Sequence, residues 1–132
     1  MQEKQRQSGN RDAADQSDEL LAVTLTALED MKAIDVRVID VRKLTSITDI
    51  MVIASGTSTR HIKAIADNIT LDAKKFGVTA LGVEGDKGSE WILVDLADVV
   101  VHVMTPKIRE FYALEKLWSV GNDDHFLTDA ET

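Results

Sequence analysis

The segment Ile50-Met51-Val52-Ile53-Ala54-Ser55 carries no charge and is closed by Gly56. Six residues are short for a buried helix, and a strand without polar alternation is the pattern of a sheet centre covered on both faces. A second run, Val99-Val100-Val101-His102-Val103-Met104, has the same character, broken only by its histidine. A chain with such runs must supply layers to cover the sheet, and its helical segments are the natural source.

Those segments are readable. Leu21, Leu25 and Leu28 recur at helical spacing after Asp18, a favourable N-cap, and predict a helix over 19–33. The β-branched DVRVIDVR at 35–42 suits a strand, and Ser46 to Asp49 form a turn before the apolar run. Ile62, Ile65, Ala66, Ile69, Ala73 and Phe76 predict a second helix over 59–76, with Ser58 as N-cap and Gly77 as its stop. Val78 to Val83 read as a third strand, and the turn-rich EGDKGS at 84–89 leads to Trp91-Ile92-Leu93-Val94. A tight turn at Asp95 to Asp98 makes a hairpin with 99–104. Thr105 then caps a helix with Pro106 at its first position, running to about Trp118. The order is αββαβββα. It describes a single α/β (α+β) domain with a mixed sheet of about five strands flanked by helices.

The length of 132 residues fits one domain. Residues 1–18 hold three basic and four acidic groups, 19–118 hold 12 and 15, and 119–132 hold none and four. The expected organisation is a disordered N-terminal tail over 1–18, a folded domain over 19–118 and an acidic flexible tail over 119–132. The formal charge of −8 argues against tight binding to free nucleic acid, which needs a clustered Lys/Arg face, and favours a basic protein partner. Arg42-Lys43 and Lys74-Lys75 are the adjacent basic pairs and read as solvated faces. No apolar stretch approaches the roughly 20 residues of a membrane span, and no signal-like segment opens the chain, so a cytoplasmic protein without membrane association is expected.

Four features bear on whether the chain carries chemistry. The Gly56-Thr57-Ser58-Thr59 turn precedes a helix, where backbone N–H groups can hold an anion, but it lacks both phosphate-loop signatures. No D-x-D aims two carboxylates from one strand face, and Asp95 and Asp98 straddle a turn where Asp is common for local hydrogen bonding. The chain has no Cys, and its histidines His61, His102 and His125 are too scattered to read as a metal site, so neither metal nor cofactor is expected. No nucleophile motif is present. His102, inside a β-run, reads foremost as a satisfied sheet histidine. Elimination favours a binding module over an enzyme. Trp91, Phe111, Tyr112 and Trp118 concentrate the aromatics in the last third, and exposed aromatics of this kind anchor protein interfaces.

Several ordered blocks resemble one known family: TDIMVIASGTSTRHIKAIAD at 48–67, EG at 84–85, WILVDLADVVVHVM at 91–104 and REFYALEKLW at 109–118. Together they are similar to the bacterial ribosomal silencing factors, the RsfS or Iojap family, over about Leu21 to Trp118. The resemblance implies a nucleotidyltransferase-like fold without the catalytic carboxylates, and no enzymatic activity. It implies binding to the large ribosomal subunit through its L-fourteen protein, blocking of small-subunit joining and lowered translation when nutrients are scarce. An assembly factor for the large subunit and, more remotely, a small nucleotidyl- or phosphoryl-transferase are the alternatives.

Carried over by motif, the candidate interface is Trp91, Asp95, Asp98, His102, Met104, Arg109, Tyr112 and Glu115. Trp91, Met104 and Tyr112 would form an apolar anchor, with Asp98 and Glu115 pairing to basic partner residues. A monomer or weak homodimer is expected. Two departures stand out: Ile50-Met51 where the family commonly has an aromatic pair, expected to be a core adjustment, and Leu96-Ala97 where it has Tyr-Gly, expected beside the binding surface.

Overall fold

The computed structural model describes residues 9–85 and 88–113. In chain order the elements are α1 (Gly9–Asp30), β1 (Ile34–Asp40), β2 (Ile50–Ser55), α2 (Thr59–Phe76), β3 (Gly82–Glu84), β4 (Trp91–Asp95), β5 (Val99–Met104) and α3 (Pro106–Tyr112). The strands form one sheet in the order β1-β2-β5-β4-β3. β2 and β5 pair in parallel and the other neighbours are antiparallel, so the sheet is mixed, as expected. The two uncharged runs lie side by side near its centre, and all six residues of β2 are buried.

Pairing register fixes which side chains share a face. Val52, Ala54, Val99, Val101, Val103, Ile92 and Val94 face α1 and α2, whose Leu28, Ile62, Ile65 and Ile69 complete the main core. The opposite face holds a smaller cluster of Ile39, Val41, Met51, Ile53 and Met104, against which Trp91 and Ile108 pack. Two long helices thus cover one face, whereas among the described residues the other carries only the seven-residue α3 at one end.

Sequence expectations hold well for β2, α2, β5 and the β4–β5 hairpin. α2 spans Thr59–Phe76, Ser58 Oγ accepts from the His61 amide, and Gly77 closes the helix in the left-handed region at φ 107°. Lys74 and Lys75 occupy its last turn, where cations favour the helix dipole.

Four expectations are corrected. First, α1 begins at Gly9, so Asp18 lies within the helix and residues 9–18 are not an irregular tail. The buried stripe runs Ser17, Leu20, Thr24, Ala27, Leu28; its first member is polar and donates to Asp49 Oδ2 at 2.7 Å, which an apolar pattern cannot register. At the other end α1 stops at Asp30, because Lys32 turns left-handed and the Ala33 amide bonds back to Leu28 O. Second, β3 is Gly82–Glu84 and not 78–83, since the Val78 amide is tied to Ala73 O at the end of α2. Third, Thr105 occupies the N-cap position of α3, but its hydroxyl donates to Glu90 Oε1 at 2.9 Å instead of capping the helix. Fourth, α3 ends at Tyr112, where Ala113 adopts the left-handed region, and residues 114–118 lie outside the described residues together with Glu115 and Trp118.

Both departures from the family pattern are resolved. Ile50 and Met51 are buried, one in each core cluster, so that exchange is the core adjustment expected. Leu96 is buried in the helix-side core, and the turn holding Ala97 lies at the opposite end of β4 from Trp91. Among the described residues no helix is long and apolar enough to cross a membrane.

Candidate functional site

Trp91 opens β4 and is held by its backbone on three sides. It pairs with Met104 on β5, the Ser89 hydroxyl donates to its carbonyl at 2.9 Å, and Gly85 abuts that carbonyl. A Cβ on Gly85 would stand 2.6 Å from Trp91 O, and the residue has φ 112°, so only glycine fits here. This accounts for the EG pair singled out in the sequence.

The Trp91 side chain lies on the sheet face that α1 and α2 leave uncovered. Its indole Nε1–H donates to His102 Nδ1 at 3.0 Å. The Tyr112 ring packs against the indole with centroids 5.0 Å apart, and Phe111 meets Tyr112 edge-on at 4.9 Å and 88°. The ridge grows more exposed outward: Trp91 is half-buried, Tyr112 is 52% exposed and Phe111 75% exposed. Phe111 and Tyr112 also border a groove of about 440 Å³ with Lys107, Ile108 and Glu110. An exposed ridge of three rings is the residue chemistry of a protein-docking surface.

α3 is seated on this face by three contacts. Ile108 packs on the smaller core, Arg109 Nη1 donates to Ser55 Oγ at 3.0 Å, and the Thr105 backbone and hydroxyl both bond Glu90. Because α3 carries Phe111 and Tyr112, these contacts set where the outer rings stand.

The candidate residues fall into two groups. Trp91, His102, Met104, Arg109 and Tyr112 gather at one end of the hairpin. Asp95 and Asp98 lie at its turn, four residues along β4 and therefore about 14 Å away. Met104 is fully buried in the smaller core, so it supports Trp91 from beneath and is not an exposed anchor. Asp95 Oδ1 accepts from the Ala97 amide at 2.9 Å, and Asp98 O receives the amides of Asp49 and Ile50. Glu115 lies outside the described residues.

His102 is 7% exposed and is satisfied by the indole donor, as read from the sequence. Burial pushes its pKa down to about 4, so the ring is neutral at pH 7 with its proton on Nε2 and Nδ1 free to accept.

The Gly56 turn is a capped connection. Its Gly56 amide bonds Met104 O, its Thr57 amide bonds His61 Nδ1 at 2.8 Å, and Ser58 Oγ takes the His61 amide. His61 Nε2 reaches Met31 O at 2.7 Å, joining the start of α2 to the end of α1. These amides, which a phosphate loop would direct at its ligand, are spent within the protein. Among the described residues no three His, Asp or Glu side chains converge as a metal site. The basic pair Arg42-Lys43 contributes Arg42 to a surface network with Asp18, Asp40 and Asp49.

Sequence reasoning did not place Phe111, Ser55 or Glu90 at the site. Phe111 had a signal, its adjacency to Tyr112 on a short helix. Ser55 and Glu90 had none, because their roles depend on strand pairing and on where α3 lands.

A family profile described as "Ribosomal silencing factor during starvation" matches residues 14–131. The chain is 44% identical over 100 residues to the ribosomal silencing factor RsfS of Chromobacterium violaceum, covering 76% of this chain and 82% of that protein. It is 43% identical over 100 residues to the RsfS of Haemophilus influenzae, covering 76% and 98%. A mouse protein named for mitochondrial assembly of the ribosomal large subunit is 36% identical over 113 residues, covering 82% of this chain and 50% of that protein. The fold matches a crystal structure from Chromobacterium violaceum with a TM-score of 0.76 at 43% identity, over 77% of this chain and 85% of the other. It matches one from Bacillus halodurans with a TM-score of 0.70 at 36% identity, over 76% and 94%.

Proposed function

The chain belongs to the RsfS family of ribosomal silencing factors, and from this premise we propose that it binds the large ribosomal subunit through the L-fourteen protein and sterically prevents the small subunit from joining. The observation that carries the reading is the exposed ridge Trp91–Tyr112–Phe111 on the sheet face that α1 and α2 leave open. Aromatic anchors of this kind dominate interface energies, and truncating a central one typically costs about 2 kcal/mol or more.

In this reading Trp91, Tyr112 and Phe111 make the apolar contact, with His102 and Met104 beneath them. Asp95 shares the open face with Trp91, and Asp98 follows in the same turn. A standard interface of about 800 Å² per partner is wide enough to span both ends of the hairpin. Asp98 and Glu115 would pair with Lys or Arg of the ribosomal protein, acting mainly on association rate and salt sensitivity. The family is one of ribosomal silencing factors and not a known enzyme family.

The test is sedimentation of purified large and small ribosomal subunits in magnesium, with and without excess protein. Comigration with the large subunit and a reduced joined-ribosome peak are expected. Protein remaining at the top of the gradient with joining unchanged would overturn the reading. The mouse relative's name favours a second role, in large-subunit assembly. That role would appear as precursor large subunits accumulating on loss of the protein, with joining of mature subunits unaffected by its addition.

A further inference from the structure

We propose that His102 is a positioning residue: from beneath the docking face it accepts the indole N–H of Trp91 and so fixes the orientation of that ring before any partner arrives. The inference rests on the docking reading for its consequence, though not for its geometry.

Register makes the contact specific. Trp91 stands opposite Met104 and Leu93 stands opposite His102, so the indole reaches the imidazole along a diagonal between adjacent strands. The rings lie 5.8 Å apart, tilted by 54°, with the donor and acceptor nitrogens at 3.0 Å. His102 is nearly buried, so its effect on a partner passes through Trp91.

An acceptor is needed at this place because a half-buried indole N–H without one would turn toward water and take the ring with it. Imidazole can accept only while neutral, and burial holds His102 in that form at pH 7. The neighbours would not substitute: Leu93 and Met104 flank the site on the same face, and neither offers a comparable acceptor. Tyr112 packs on the same indole, so an orientation set by His102 is passed outward along the ridge. A ring fixed in its binding orientation loses little freedom on docking, and this ordering term shows directly in affinity.

The full-length chain with Trp118→Phe leaves a single indole, which can be followed by ¹⁵N–¹H correlation together with its exchange with water. His102→Leu is expected to shift that resonance, accelerate exchange by about tenfold and weaken binding to purified large subunits by about tenfold, the scale of one ordered side chain. His102→Asn, whose amide oxygen can stand near the position of Nδ1, should restore both readouts toward the parent. An unchanged, protected indole in His102→Leu overturns the proposal, as does a released indole with undiminished binding. If His102→Leu does not fold, His102→Phe keeps a ring and removes the acceptor; faster indole exchange with weakened binding supports the proposal, and an unchanged, protected indole overturns it. Failure of the parent to sediment with large subunits would reject the docking reading, while the indole resonance would still decide whether His102 orients Trp91.

Discussion

Arg109 Nη1 donates to Ser55 Oγ at 3.0 Å, joining the short α3 to the end of a central strand 54 positions earlier in the chain. Ser55 is buried, and the bond holds the helix that carries Phe111 and Tyr112.

Ser55→Ala should therefore loosen α3 without disturbing the main core. Loss of a hydrogen bond to a charged donor is worth about 1.5–3 kcal/mol. The expected result is a lower midpoint in chemical denaturation, with faster amide exchange over 106–112 than in β2 or β5.

Tyr112→Ala and Met104→Ala should separate docking from packing. Tyr112 is half exposed, so its truncation should weaken large-subunit binding by about 2 kcal/mol with little change in stability. Met104 is fully buried, and its truncation should cost about 2–5 kcal/mol of folding stability. Titration of subunits alongside thermal melts checks both.

Ala97 has φ 74°, a region unfavourable to any residue with a Cβ, and its amide is held by Asp95 Oδ1. Ala97→Gly should relieve that strain and raise stability by about 1 kcal/mol, measured by urea denaturation.

His102 titrates near 6.5 in the unfolded chain and about 4 in the folded one. Between those values the unfolded state binds the extra proton, so stability is complete above about pH 6.5, falls as pH is lowered and stops falling for this group below about 4. The shift is worth about 3 kcal/mol. His102→Asn should lose this limb of the stability–pH curve, seen as the difference between the two proteins' denaturation profiles from pH 7 to 4.

Legibility from the sequence followed the chemistry of each signal. β2, β5 and α2 were readable because β2 is an unbroken apolar run, β5 is one broken only by His102, and α2 is strictly periodic with a cap at both ends. The start of α1 was hidden because Ser17 takes a core position through a hydrogen bond to Asp49, and β3 because Val78 is committed to closing α2. Trp91, His102 and Tyr112 were named as candidates, but their stacking depended on the diagonal between β4 and β5 and on where α3 docks. Met104 was read as part of an apolar anchor with Trp91 and Tyr112; it lies buried beside Trp91, at a depth set by the arrival of Ile108 and the second core.

The parallel pairing of β2 with β5 also dictates an order of events during synthesis. Residues 50–55 find their central neighbour only when 99–104 have been made, with α2, β3 and β4 intervening. Until then β2 has only the edge strand β1 beside it, and the apolar surfaces of α1, β2 and α2 lack the core residues of β5. Long-range closure of this kind slows folding and exposes unpaired strand edges. A chain that stops before Val99 therefore cannot assemble the centre of the sheet, and the aromatic ridge, whose outer rings lie on α3, forms only once 106–112 have followed.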